Sequence, residues 1–283
     1  MLIVDSQVHI WGANAPERPW PVPQGALKPL PPHRAVPITK ESLLREMDEL
    51  GINRVILIPP SWEGDRNDLV LEAAQRHPDR FAAVGRLDVS APGARDQIAS
   101  WLRQPGMLGL QLTFQTPLLE KPLLEGRVDW VWAAAEEAGV PINLYLPHRH
   151  LHLIDHAAER HPGLKLVINH LALTGSKKDE EAFADLDTLL AMAKRPNVAV
   201  KASCLPFYTT DTYPYRWLHP HLRRVYDAFG PRRMFWGTDL SRLPCSYREG
   251  LTMFTEEIPW LTSEDKEWIM GRGVCDWHGW KLP

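Results

Sequence analysis

The chain has 283 residues, of which 44% are hydrophobic and 24% charged, a balance that excludes disordered, collagen-like and fibrous classes. With 32 basic and 35 acidic residues the net charge is −3, so it lacks the basic field that attracts nucleic acid or an anionic membrane. Length alone fits two average domains or one α/β barrel. Cys204, Cys245 and Cys275 are widely spaced and form no CxxC or zinc-ribbon pattern, as expected of free thiols in a reducing compartment. The start, Met1 to Asp5, has no basic region or long apolar run, and no stretch approaches the ~18 apolar residues of a membrane span. A soluble, cytoplasmic protein is expected.

In chain order, eight short apolar or β-branched runs predict strands: 2–10, 54–58, 81–87, 108–114, 141–146, 164–169, 198–202 and 233–237. Amphipathic stretches lie between them. Glu41 to Leu50 carries Leu43, Leu44, Met47 and Leu50 at helical spacing and stops at Gly51; Val128 to Ala138 and Leu151 to His161 end similarly before Gly139 and Gly163. Eight βα periods without a composition break predict one (β/α)8 TIM barrel over residues 1–283. The rival, an open doubly wound sheet, lacks a Gly-rich phosphate loop after the first strand. Two segments break the rhythm. Residues 12–37 include eight of the 26 prolines, crowded between Pro16 and Pro37, and should form a stiff loop over the catalytic face. The aromatic stretch Leu205 to His219 should help to roof the same face.

Barrel chemistry comes from the C-terminal ends of strands. The first strand places Gln7 and His9 on one face by alternation, the sixth ends in Asn169-His170, and the eighth in Trp236-Gly237-Thr238-Asp239. Two imidazoles and a carboxylate from three strands could hold one divalent metal with open positions, whereas each alone is an ordinary strand-end polar group. The fifth strand leads into Tyr145-Leu146-Pro147-His148-Arg149-His150-Leu151-His152. His148 is at the strand end, while His150, His152 and His156 fall in the following helix and should face solvent or lie along one face. Cations near strand ends, foremost Arg242 and Lys201 and then Arg149 and Arg86, suit a substrate carboxylate.

These residues, with Pro60-Ser61, Gly64-Asp65-Arg66-Asn67, Val200-Lys201-Ala202-Ser203 and Phe229-Gly230-Pro231, resemble the amidohydrolase superfamily. More narrowly, they resemble the amidohydrolase-related branch that includes 2-pyrone-4,6-dicarboxylate lactonase and sugar-lactone hydrolases. The resemblance implies a TIM-barrel hydrolase with Asp239 as general base on water, and His9 and His170 as metal ligands or oxyanion donors. It places substrate contacts at Ser61, Gln111, Tyr145, His148, Lys201 and Arg242. A metal, zinc or manganese, would be held by Gln7, His9, His170 and Asp239. The resemblance supports a metal-free mechanism equally, because Gln7 stands where most relatives carry His and the dicarboxylate lactonase works without metal. Gln111 stands where that lactonase has a carboxylate-reading arginine, which points to a less acidic lactone or ester, and Trp11, Trp20 and Trp62 after the first two strands, with Trp217, are expected to roof the mouth and favour a flat, partly apolar body.

The expected function is hydrolysis of a small lactone. The alternatives are a decarboxylase or hydratase of a small carboxylic acid on the same barrel, and a binding protein on a degenerate one. The expected partner is a small-molecule substrate, with no nucleic acid and no membrane; assembly as a homo-oligomer stays open.

Overall fold

The structure is a computed structural model that describes residues 1–22 and 27–282. Residues 23–26 of the expected proline-rich loop, and Pro283, lie outside the described residues. Eight parallel strands follow one another in sequence order: β1 Val4–Val8, β2 Arg54–Leu57, β3 Phe81–Arg86, β4 Met107–Thr113, β5 Ile142–Tyr145, β6 Leu166–Ile168, β7 Val198–Ser203 and β8 Met234–Gly237. Helices fill the connections, so the chain is a (β/α)8 barrel. The expected helix at Glu41 to Leu50 is Lys40–Leu50, capped by the Thr39 side chain at its start and by left-handed Gly51 at its end. The first strand is shorter than the apolar run because its ends turn into loops.

Two apolar layers hold the barrel. Val4, Ile56, Val84, Val167, Ala199 and Phe235 fill the interior, and Val274 and Trp277 of the helix Gly273–His278 plug its lower end. The larger layer lies between the strands and the outer helices, where Leu43, Val55, Leu57 and Met47 are fully buried. At the seam β8 meets β1: the Asp239 N–H donates to Gln7 O at 2.8 Å, and Thr238 N–H to the buried Asp5 carboxylate at 2.9 Å. Asp5 also accepts from Gln7 N–H and Tyr247 O–H at 3.0 Å each. Burial pushes the Asp5 carboxyl up to about 6 despite these donors. Gly237 is needed at this seam, since a Cβ there would stand 2.7 Å from Ser6 Oγ and 3.2 Å from Gln7 N.

Strict alternation does not survive in β1. Asp5 pairs with Val55 and Val8 with Leu57, so three steps along β1 match two along β2 and one residue is bulged. Val4 therefore joins the interior cluster while Gln7 and His9 both line the cavity above it. The bulge aims the two side chains at the mouth.

Candidate active site

His9, just beyond β1, is set by its Nδ1–H, which donates to Ile58 O at 2.7 Å and leaves Nε2 pointing across the barrel. There Nε2 comes within 3.2 Å of Asp239 Oδ1. His170, beyond β6, pairs its Nδ1 with the Ser203 hydroxyl of β7 at 2.8 Å, and its Nε2 stands 3.8 Å from Asp239 Oδ2. The carboxylate thus lies between two imidazoles brought by non-adjacent strands. His9 reaches ion-pair distance without hydrogen-bond alignment, and among the described residues nothing donates to Asp239 Oδ1. That buried acceptor is open to a water molecule.

The backbone at this rim is strained. His170, Leu171 and Ala172 after β6, Cys204 after β7 and Asp239 after β8 all have φ between 52° and 61°. Such non-glycine left-handed residues cost of order 1–3 kcal/mol each and persist where the surrounding packing over-determines them. They turn the chain sharply enough to deliver His170 and Asp239 to one point.

Electrostatically, Asp239 is the anion of the site. Burial opposes its charge, but the contact and charge of His9, with His170 and His33 adding, hold its carboxyl well below the usual carboxylate range. Burial brings His170 and His33 each down to about 4, so both rings are neutral at pH 7. Arg242 lies over the Phe207 ring at 4.1 Å and donates to Tyr145 Oη and Gly175 O, both at 2.9 Å.

A small cavity of about 60 Å³ joins eight of the residues expected from sequence: Gln7, His9, Ser61, Gln111, Tyr145, His170, Asp239 and Arg242. Two expected contacts lie elsewhere. Lys201 is fully buried beneath the cavity, its Nζ donating to Gln7 Oε1 at 2.9 Å, and burial brings its ammonium down to about 7. His148 is 8% exposed but does not line the cavity. The β5 end turns into a 3-10 segment, His148–His150, that carries its ring away. His150, expected in the following helix, lies in this 3-10 segment instead, buried and 2.7 Å from Glu120 Oε2, whereas His152 and His156 are in the helix and exposed.

Sequence reasoning missed His33, which comes from the proline-rich loop. Its Nδ1 pairs with Ser241 Oγ at 2.9 Å, and its ring meets Trp62 edge to face at 4.8 Å. Arg34 beside it donates to Leu240 O and Ser241 O, tying the loop to the segment that follows Asp239. The loop entrance is anchored by buried Glu63, which accepts from Gly12 N–H at 2.9 Å and pairs with Arg18 at 3.1 Å. A basic pair inside a proline run was the available signal. Asn169 was also passed over as a site residue; its Nδ2 donates to Gln111 Oε1 at 2.9 Å and it lines the cavity. Of the aromatics expected to roof the mouth, Trp62 does line it, while Trp217 packs on Phe183 and His221.

A family model described as Amidohydrolase matches residues 4–272, nearly the whole chain and both halves of the site. The chain belongs to the amidohydrolase family. It is 28% identical over 256 residues to an L-fucono-1,5-lactonase of Burkholderia ambifaria, covering 85% of this chain and 81% of that one. A 4-sulfomuconolactone hydrolase of Hydrogenophaga intermedia is 25% identical over 207 residues, covering 70% and 64%. Among solved structures, a zinc-bound amidohydrolase from Burkholderia multivorans superposes with a TM-score of 0.79 at 21% identity over all of both chains, a likeness of fold.

Of the four expected metal ligands, Gln7 is the one whose chemistry does not fit. Among the described residues no group of three or more His, Cys, Asp and Glu side chains is arranged to hold one. The fourth expected ligand, Gln7, has its only good donor atom, Oε1, engaged by the Lys201 ammonium. A metal taking that oxygen would first have to displace the Lys201 amine from it. With Oε1 committed, the part of the Gln7 amide left to serve the cavity is its NH2, a hydrogen-bond donor.

Proposed function

We propose that this amidohydrolase opens a small lactone by metal-independent general-base catalysis, with Asp239 as the base. The observation that carries the mechanism is the buried Asp239 carboxylate, flanked by the Nε2 atoms of His9 and His170 at 3.2 and 3.8 Å, with Oδ1 open to accept. The names of the two curated relatives support a lactone as the substrate.

A water held by Oδ1 gives its proton to Asp239 as its oxygen attacks the lactone carbonyl carbon. The carbonyl oxygen becomes an oxyanion and is met by donors already in place: the Gln7 NH2, held by Lys201, and the His170 Nε2–H. The latter is the tautomer that results when Ser203 donates its hydroxyl to Nδ1. When the ring C–O bond breaks, Asp239 returns its proton to the alkoxide, and the products are a hydroxyl and a carboxylic acid that ionises. The 3.8 Å gap at His170 suits this division of labour, being too long for a direct bond to Asp239 and wide enough for both groups to touch one reacting centre.

The chain then acts as one catalytic domain, with His33 from the described part of loop 12–37 and Trp62 from the segment after β2 forming the inner lining. The free cysteines fit a cytoplasmic setting. Assay of a panel of 1,4- and 1,5-lactones by proton release tests the reading. Ring opening with kcat/KM above about 10^4 M⁻¹s⁻¹ for at least one member is expected. CO2 release from a small acid, or hydration of an alkene, with no lactone opened, would replace it.

A further inference from the structure

Arg86, the last residue of β3, is a half-buried cation for which the mechanism has no use. Its backbone is clamped from both sides by Asn67, which accepts from Arg86 N–H at 2.7 Å and donates to Arg86 O at 2.8 Å, so the strand end is held rigidly. The side chain is 13% exposed. Among the described residues its guanidinium makes one hydrogen bond, from Nη1 to Thr113 Oγ1 at 3.2 Å, while Nε has no acceptor. The one carboxylate in range, Asp65, is 4.0 Å away at the outer limit of an ion pair and is itself half exposed. Burial lowers the Arg86 pKa, with Asp65 only partly opposing. A guanidinium carries five donors in a planar fork suited to an oxyanion. The buried Nε without an acceptor is unfavourable, and the residue borders the cavity and its side chambers, where an anion can take the unused donors.

Its position says where that anion belongs. Arg86 lines the catalytic cavity and two larger chambers beside it, of about 490 and 480 Å³. The catalytic cavity is much the smallest of the three, about 60 Å³ against 490 and 480 Å³. Arg86 is in the lining of all three, so a substrate with its carbonyl at Asp239 and its body in a side chamber passes Arg86. The chamber walls beyond, including Pro19, Leu30 and Leu119 on one side and Phe114, Leu118 and Trp130 on the other, suit an apolar body. The two cations that sequence favoured are otherwise engaged: Arg242 is bonded to Tyr145 and Gly175 and stacked on Phe207, and Lys201 lies below the floor on Gln7.

We infer that Arg86 is the anion-recognising residue of this site, and that the substrate is a lactone bearing one carboxylate away from the scissile ester, paired with the Arg86 guanidinium at the throat between the catalytic cavity and its side chambers. The inference rests on the lactonase reading for the reaction but not for the anion site, and the experiment separates the two.

Matched lactones carrying a ring carboxylate or the corresponding carboxamide are assayed with the wild type, Arg86→Met and Arg86→Lys. Folding of each variant is checked by thermal melting. In parallel, binding of tetrahydropyran-2-carboxylate and tetrahydropyran-2-carboxamide, ring ethers that cannot be hydrolysed, is measured by calorimetry. The wild type is expected to prefer the carboxylate lactone by at least tenfold in kcat/KM. Arg86→Met should bring that ratio close to one and Arg86→Lys to an intermediate value. Equal rates for the two lactones in the wild type, or a preference that survives Arg86→Met, would overturn the inference and leave the lactonase reading standing. If no lactone opens, yet the ether carboxylate binds at least tenfold tighter than its amide and Arg86→Met abolishes the difference, the anion site stands and the lactonase reading falls. Failure of both ligand pairs to discriminate overturns the inference.

Discussion

Asp239→Asn separates the base from everything else that Asp239 does. The backbone is tolerant of this change: φ is 52° at this position, and asparagine enters the left-handed region more readily than almost any other non-glycine residue. The N–H to Gln7 O bond that closes the barrel is untouched. The new amide can present either its oxygen or its NH2 to His9 Nε2, 3.2 Å from the present Oδ1, whichever that nitrogen requires. The variant should therefore fold and melt within a few degrees of the wild type. What it loses is an acceptor able to take a proton from water and give it back. General-base catalysis contributes about 10^2 to 10^4 in rate, or ~3 to 5 kcal/mol of barrier. We expect kcat to fall by that factor on the best lactone of the panel, with KM changed less than about threefold, because the binding groups remain in place. Proton release in weak buffer reads kcat and KM, and circular dichroism reads the fold. A correctly folded Asp239→Asn protein with kcat within tenfold of the wild type would refute the assignment of the base.

Three further outcomes follow from the same structure. Gly237→Ala forces a Cβ to 2.7 Å from Ser6 Oγ and 3.2 Å from Gln7 N at the barrel seam, so unfolding stability should drop by ~1 to 3 kcal/mol, with a loss of kcat as β1 shifts against β8. Wild-type stability in a denaturant titration would show that the seam has slack. His278, in the plug of the barrel, is buried neutral with its pKa pushed down by burial to about 3. Between about pH 3 and 6.5 the unfolded chain takes up the proton that the folded one refuses, so stability falls as pH falls through that window. His278→Leu should make the slope of unfolding free energy against pH shallower by about 1.4 kcal/mol per unit between pH 4 and 6, and parallel slopes would contradict the assignment. Prolonged treatment with a chelator should leave turnover within twofold; loss of activity, restored by zinc or manganese and accompanied by stoichiometric metal in the untreated protein, would show that Gln7 and Lys201 rearrange to admit a metal.

Much of the fold was legible because its signals are local. Eight apolar runs of strand length, separated by amphipathic stretches ending in glycine, leave little room for anything but a barrel, and the observed strands fall within or close to each run. The rule that barrel chemistry collects at strand ends was enough to single out His9, His170 and Asp239, which the structure brings within 3.8 Å of one carboxylate. Direction was less legible. Lys201 and Arg86 both lie near strand ends, yet one is sealed under Gln7 and the other faces the cavity. His148 and His150 read differently from their surroundings because the chain after β5 tightens into a 3-10 turn before the helix begins, rotating both rings.

The amino-acid sequence by itself determined the number of strands, the order of the chemical groups along them and the family, since periodicity and short motifs are properties of neighbouring residues. The tertiary structure decided which of those groups meet. The one-residue bulge in β1 sets Gln7 and His9 into the mouth, the Lys201 ammonium takes the oxygen that a metal would need, and the proline-rich loop returns His33 to the rim. The last two depend on closure of the barrel, which brings the first and last strands into contact and lets residues more than 190 positions apart share a hydrogen bond. No local pattern carries that information.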